Sequence, residues 1–144
     1  MKLFTAGFTK KSAEEFFTLL QKAGVRRIVD VRLNNTSQIA GFAKSRDLRY
    51  FLHAIAAIDY IHIPDFAPTR EILDGFTKNK GSWEDYERRF GELMAARDTA
   101  GKAAEVLRDG DCLLCSEPTP EHCHRRLVAE QIQKHLAHIE VVHL

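Results

Sequence analysis

The sequence predicts a three-layer α/β sandwich with a mainly parallel sheet of about five strands flanked by helices. Short β-rich runs alternate along the chain with longer helical runs, and such alternation requires crossover connections between parallel strands. The 144 residues are 44% hydrophobic and 28% charged. That is the balance of a soluble globular protein long enough to enclose a real core, so residues 1–144 are expected to form a single α/β domain.

The first strand is expected at Lys2–Thr5, ending at Gly7. Ser12-Ala13-Glu14-Glu15 has the form of a capping box. Phe16, Leu19, Leu20 and Ala23 supply one apolar stripe, and Gly24 stops the helix. Arg27–Arg32 reads as a buried strand whose far end becomes charged. Asp47 is expected to cap a helix with Leu48, Phe51, Leu52 and Ile55 on its apolar face, and Ile58–Ile63 is the next strand, stopped by Pro64.

Helices are expected at roughly Arg70–Phe76, Trp83–Ala96 and Ala100–Leu107. Gly110-Asp111 turns the chain into the strand Cys112–Cys115. Thr119-Pro120 reads as a helix cap followed by proline in the first helical position, opening a helix to about Leu136. Ile139–His143 closes the sheet. Strand orders 3-2-1-4-5 and 2-1-3-4-5 are the expected choices, and ligands of such sheets gather beyond the carboxyl ends of the strands.

The formal net charge of +1 gives no whole-chain attraction to nucleic acid or membrane surfaces. No stretch is long and apolar enough to span a bilayer, and the N-terminal apolar run is too short for a signal-peptide core. Three cysteines, Cys112, Cys115 and Cys123, make a poor disulfide framework and suit a reducing, cytoplasmic setting.

Chemistry concentrates at the strand ends. Thr5-Ala6-Gly7-Phe8-Thr9 is a small-residue turn whose amides could meet an anion. Asp30 and Arg32 alternate onto one face of their strand, either as a closing ion pair or as an arginine clamp for an anion, oriented by the aspartate. Asn34-Asn35-Thr36-Ser37 is a polar loop able to fold over a site. His62 reads as an ordinary satisfied histidine.

The run from Cys115 to Arg125 is the richest. Cys112 and Cys115, three apart in a strand, face opposite ways, so Cys112 is read as a buried small hydrophobe. His122, Cys123 and His124 fall in the first helical turn or just past it, where the dipole lowers a thiol's pKa. Arg125 and His124 share the inward face with Val128 and Ile132, whereas Arg126 belongs to a solvated face and His122 to the surface.

Three readings follow. In the first, a thiolate enzyme uses Cys123 or Cys115 as nucleophile and His124 as its proton partner, with Arg125 and Arg32 anchoring an anionic substrate. The Cys-x5-Arg loop of thiol phosphatases is absent, because Glu121 stands six residues after Cys115. In the second, Cys115, Cys123 and His124, with Glu117, hold a metal. Adjacent helical residues diverge by about 100°, which is awkward for one ion. In the third, the cluster is a polar structural brace.

The chain resembles the domain of unknown function 488 family. The resemblance is carried by Phe4-Thr5-Ala6-Gly7, Val29-Asp30-Val31-Arg32, Leu113-Leu114-Cys115-Ser116-Glu117 and Cys123-His124-Arg125. Ala6-Gly7-Phe8 stands where members commonly carry Ile-Gly-His, and Asn34-Asn35 where they tend to have proline. The resemblance implies an α/β domain whose motifs converge on one site, at Asp30, Arg32, Cys115, Glu117, Cys123, His124 and Arg125. It implies no particular reaction.

The expectation is thus an enzyme acting on a small anionic or nucleotide-like substrate. Cys115, Cys123 and His124 would be catalytic, and Asp30, Arg32, Glu117 and Arg125 would bind substrate, with no metal required. The alternative is a non-enzymatic module that binds a metal or, through Lys44, Arg46, Arg49, Arg88 and Arg89, a nucleic acid. The sequence identifies no cofactor and no oligomeric state.

Overall fold

A computed structural model describes residues 1–36, 41–117 and 119–144. Ser37 of the expected polar loop and Pro118 of the Cys115–Arg125 segment lie outside the described residues. The strands are β1 (Lys2–Gly7), β2 (Arg27–Asp30), β3 (Asp59–His62), β4 (Asp111–Cys115) and β5 (Glu140–His143). The helices are α1 (Ala13–Ala23), α2 (Ser45–Ala56), α3 (Arg70–Thr77), α4 (Trp83–Ala96), α5 (Thr99–Val106) and α6 (His124–His135).

Local signals account for most boundaries. The Ser12 hydroxyl accepts from the Glu15 amide at 3.1 Å, and Gly24 ends α1 at φ 79°, a left-handed conformation open to glycine without a Cβ penalty. Helix α2 starts earlier than expected. Lys44 occupies its cap, and Asp47 sits within the first turn, where the helix dipole also favours an acid.

Helix α6 starts later than Thr119-Pro120 predicts. Residues around Pro120 form a turn closed by the Cys123 amide on the Pro120 carbonyl at 3.3 Å. Cys123 then takes the cap position on extended backbone, φ −127° and ψ 137°.

All five strands are parallel, in the order β3-β2-β4-β1-β5. Both expected orders are corrected here: β4 inserts between β1 and β2. Burial sets the edges: β2 and β4 are buried at every residue and β1 at all but Lys2, whereas β3 and β5 are only partly covered and lie outermost.

Helices α1 and α2 cover one face through Phe16, Phe17, Leu20, Leu48 and Leu52, against Phe4, Ile28, Cys112 and Leu114. Helices α3 to α6 cover the other, where Phe90, Val128 and Ile132 meet Leu3, Val29 and Leu113. Alternation along β4 therefore turns Cys112 toward the first face and Cys115 toward the second.

At the amino end of the sheet, Arg27 binds Asp111 with Nε–Oδ1 at 2.9 Å and Nη2–Oδ2 at 2.6 Å. Asp111 is 1% exposed. Removing one partner of such a pair strands a buried charge. Asp111→Ala is expected to cost about 3–5 kcal/mol in urea unfolding, and a paired apolar replacement of both residues to recover most of it.

Candidate active site

Parallel register sets Gly7 beside Cys115 and Asp30 beside Leu114, so three strand ends meet at one edge. Beyond them lies a cavity of about 380 Å³, lined by Arg32, Cys115, Glu117, Cys123 and His124 together with a largely aromatic wall.

The Cys115 thiol is 3.5 Å from His124 Nδ1. On the other side of that ring, Nε2 lies 2.5 Å from the Val31 carbonyl oxygen. A carbonyl only accepts, so Nε2 carries the proton and donates, leaving the Nδ1 lone pair aimed at the thiol. Phe90 packs edge-on against the ring at 5.9 Å and holds its plane.

The Cys115 thiol is held below its ordinary value. The leading cause is a hydrogen bond from Cys123, joined by the Arg125 charge and the Glu117 and Ser116 amides, all acting against burial. Cys123 is pushed the other way, first by burial and then by its neighbour Cys115. The helix N-terminus favoured Cys123 as the reactive thiol on sequence grounds. The environment instead places the more acidic sulfur at Cys115: both thiols are buried, but the Cys115 sulfur meets the Cys123 thiol and two amides, whereas Cys123 meets burial and its neighbour Cys115. Cys112, buried on the opposite face, is raised by desolvation.

Arg125 is fully buried. Its Nη1 donates to the Glu117 carbonyl at 2.7 Å and its Nε to the Thr5 hydroxyl at 3.4 Å, while Nη2 has no partner among the described residues. The same Thr5 hydroxyl pairs with His143 Nδ1 at 2.7 Å. No carboxylate bonds this guanidinium among the described residues, and an uncompensated buried charge is costly. The Arg125 charge is among the causes that lower the Cys115 thiol.

Gly7 makes this packing possible. A Cβ there would stand 1.6 Å from the Glu117 carbonyl oxygen and 3.0 Å from Arg125 Nη1. Glu117 thus contributes through its main chain, while its carboxylate lies at the exposed rim.

Arg32 and Asp30 form a buried bidentate pair, Nε–Oδ1 at 2.9 Å and Nη2–Oδ2 at 2.8 Å. Tyr60 also donates to Asp30 Oδ2 at 2.6 Å, and Arg32 Nη2 reaches the Ala43 carbonyl at 2.7 Å. Arg32 lies past the end of β2, so it is this ion pair that relates it to Asp30. Asp30 sits behind the cavity wall. Arg32 reaches the cavity, its guanidinium 5.1 Å from the Phe8 ring centre, with Nη1 making no hydrogen bond to described residues. His62 is satisfied by the Arg32 carbonyl at 2.8 Å.

Sequence reasoning passed over the aromatic wall. Trp83 stacks between partners in an α3–α4 cluster, 4.8 Å from Tyr86 and 4.9 Å from His122. His122 is exposed, as expected, yet lines the cavity. The spacing of Trp83, Tyr86 and Phe90 marked a helical face, but only the packed chain shows where that face points.

One metal ion could be held by Cys115, Cys123 and His124, whose ligand atoms lie within 4.8 Å of one another. The divergence expected of adjacent helical residues does not arise, because Cys123 is on extended cap backbone.

Fold and site together define a parallel-sheet α/β protein with a buried Cys/His cluster at the carboxyl edge. Residues 12–132 match the family model described as domain of unknown function DUF488, and the chain belongs to that family. No curated protein and no solved structure matches it. No described helix is long and apolar enough to cross a membrane.

Two substitutions check this construction. Gly7→Ala is expected to destabilise the protein by about 3 kcal/mol, read from its denaturant midpoint. Arg125→Met should move the alkylation profile of Cys115 to higher pH and slow its alkylation at pH 7 about tenfold.

Proposed function

We propose that the protein is a thiol-dependent enzyme acting on a small substrate seated in the cavity at the carboxyl edge of the sheet. The observation that carries this reading is the line Cys115 Sγ, His124 Nδ1, His124 Nε2, Val31 carbonyl. A nucleophile within reach of a base, with that base oriented by a third group, is the arrangement that activates a weak nucleophile.

In this reading His124 takes the Cys115 proton and returns it to the leaving group. Arg125 and the Ser116 and Glu117 amides hold the thiolate. Arg32, kept in place by Asp30, offers its unbonded Nη1 to an anionic or strongly polar substrate group. The mostly apolar wall suits a flat or aliphatic body, which makes a nucleotide-like or other small anion with an apolar part the substrate class expected.

The test is the pH dependence of iodoacetamide alkylation, together with the metal content of protein purified without added metal. One thiol should react with a midpoint below about 8.5, the ordinary thiol value, and Cys115→Ser should abolish that phase. Because the pKa is depressed, the reactive form persists to lower pH than that of an ordinary thiol and is lost as pH falls through the lowered value. Stoichiometric zinc or iron, lost in both Cys115→Ser and Cys123→Ser, would replace this reading with a metal centre.

A further inference from the structure

The reading above leaves Cys123 without a task beyond donating a hydrogen bond. It is 2% exposed, lines the same cavity as Cys115, and its sulfur lies within 4.8 Å of the Cys115 sulfur. A disulfide needs sulfurs about 2.05 Å apart. Cys123 is the cap of α6 and not an interior residue, so a side-chain shift closing that gap breaks no bond of the helix. Cys112 is excluded as a partner because it packs on the other face of the sheet.

We propose that Cys123 is a resolving thiol and that the site reduces an organic hydroperoxide, passing through a Cys115–Cys123 disulfide. The inference rests on Cys115 being the nucleophile. In the first step His124 Nδ1 takes the Cys115 proton, and the thiolate attacks the terminal peroxide oxygen. The O–O bond breaks, the alkoxide recovers the proton from His124 and leaves as an alcohol, and Cys115 becomes a sulfenic acid.

In the second step Cys123 gives its proton to His124 and attacks the Cys115 sulfur. The S–O bond breaks, and hydroxide takes that proton and leaves as water. Two thiols and one hydroperoxide thus become one disulfide, one alcohol and one water. A small dithiol reductant attacks the disulfide, returns both protons and both electrons, and is itself oxidised.

The cavity supplies the remaining parts. Arg32, whose Nη1 makes no hydrogen bond among the described residues, would hold a peroxide oxygen, and the Phe8, Phe76, Trp83 and Tyr86 walls receive the organic group.

The experiment treats reduced full-length protein with cumene hydroperoxide or hydrogen peroxide, then titrates thiols in denaturant and weighs the protein. All three cysteines begin free. The expected result is a fall from three titratable thiols to one, a loss of about 2 Da reversed by dithiothreitol, and a rate at least about tenfold faster with cumene hydroperoxide. Cys123→Ser should instead proceed to a sulfinic acid, a gain of about 32 Da that dithiothreitol does not reverse.

Retention of three thiols in the wild type, or sulfinic acid in both proteins, would overturn the resolving role. Equal rates with the two peroxides would overturn the assignment of the cavity to an organic substrate. Normal low-pH alkylation of Cys115 alongside either result would leave the nucleophile reading standing. Absence of that alkylation would remove both. The wild-type thiol count carries the test even if Cys123→Ser fails to fold.

Discussion

Everything at the functional edge depends on one close approach, the Glu117 carbonyl resting against the Cα of Gly7. There is no room for a Cβ between them. The same carbonyl accepts from Arg125, so a single backbone oxygen ties the end of β1, the segment after β4 and the first turn of α6. Were this contact looser, Arg125 would lose its main support, and the Cys115 environment would open to water. A glycine at the end of a first parallel strand is often read as an anion-binding turn. Here its smallness serves a backbone-to-backbone junction.

From that junction the electrostatics follow. A fully buried guanidinium with no carboxylate among its described partners is unfavourable alone, and the sulfur most able to offset it is the one beside it. The two other cysteines lie in surroundings that raise their thiols. Three cysteines crowded into twelve residues thus have three environments: Cys112 is packing, the Cys115 thiol is lowered, and the Cys123 thiol beside it is raised. Burial is shared by all of them. What separates them is which face of β4 or which side of a helix cap each occupies, and therefore which charges and amides it meets.

The ion pairs at the two ends of the sheet show how similar chemistry serves different ends. Arg27 and Asp111 seal the amino edge, with the aspartate also accepting from the Arg108 amide at 2.8 Å. Arg32 and Asp30 do the same at the carboxyl edge, where Arg32 also lines the cavity and its Nη1 makes no hydrogen bond among the described residues. Asp30 accepts from Arg32 and Tyr60 together, so it is fully occupied and orients Arg32 without meeting a ligand itself. Burial in turn pushes the Tyr60 hydroxyl above its ordinary range, which keeps it a donor.

Much of this was legible in the residues themselves. Period-two and period-3.6 patterns located the strands and helices, because burial on one face writes itself into local spacing. The inward turn of His124 and Arg125, and the outward turn of Arg126, followed from helix geometry alone. Strand order did not follow, since any parallel arrangement satisfies the same local pattern; the tertiary structure put the buried strands β2, β4 and β1 inside and the partly covered β3 and β5 at the edges. Nor could one sequence reveal that the helix of Cys123 begins one residue after it, or that Trp83 and His122 share a wall. Those depend on contacts between segments far apart in the chain. The local sequence determined which side chains are capable of chemistry, and the packed fold decided which thiol is lowered and which are raised, because acidity is set by neighbours in space.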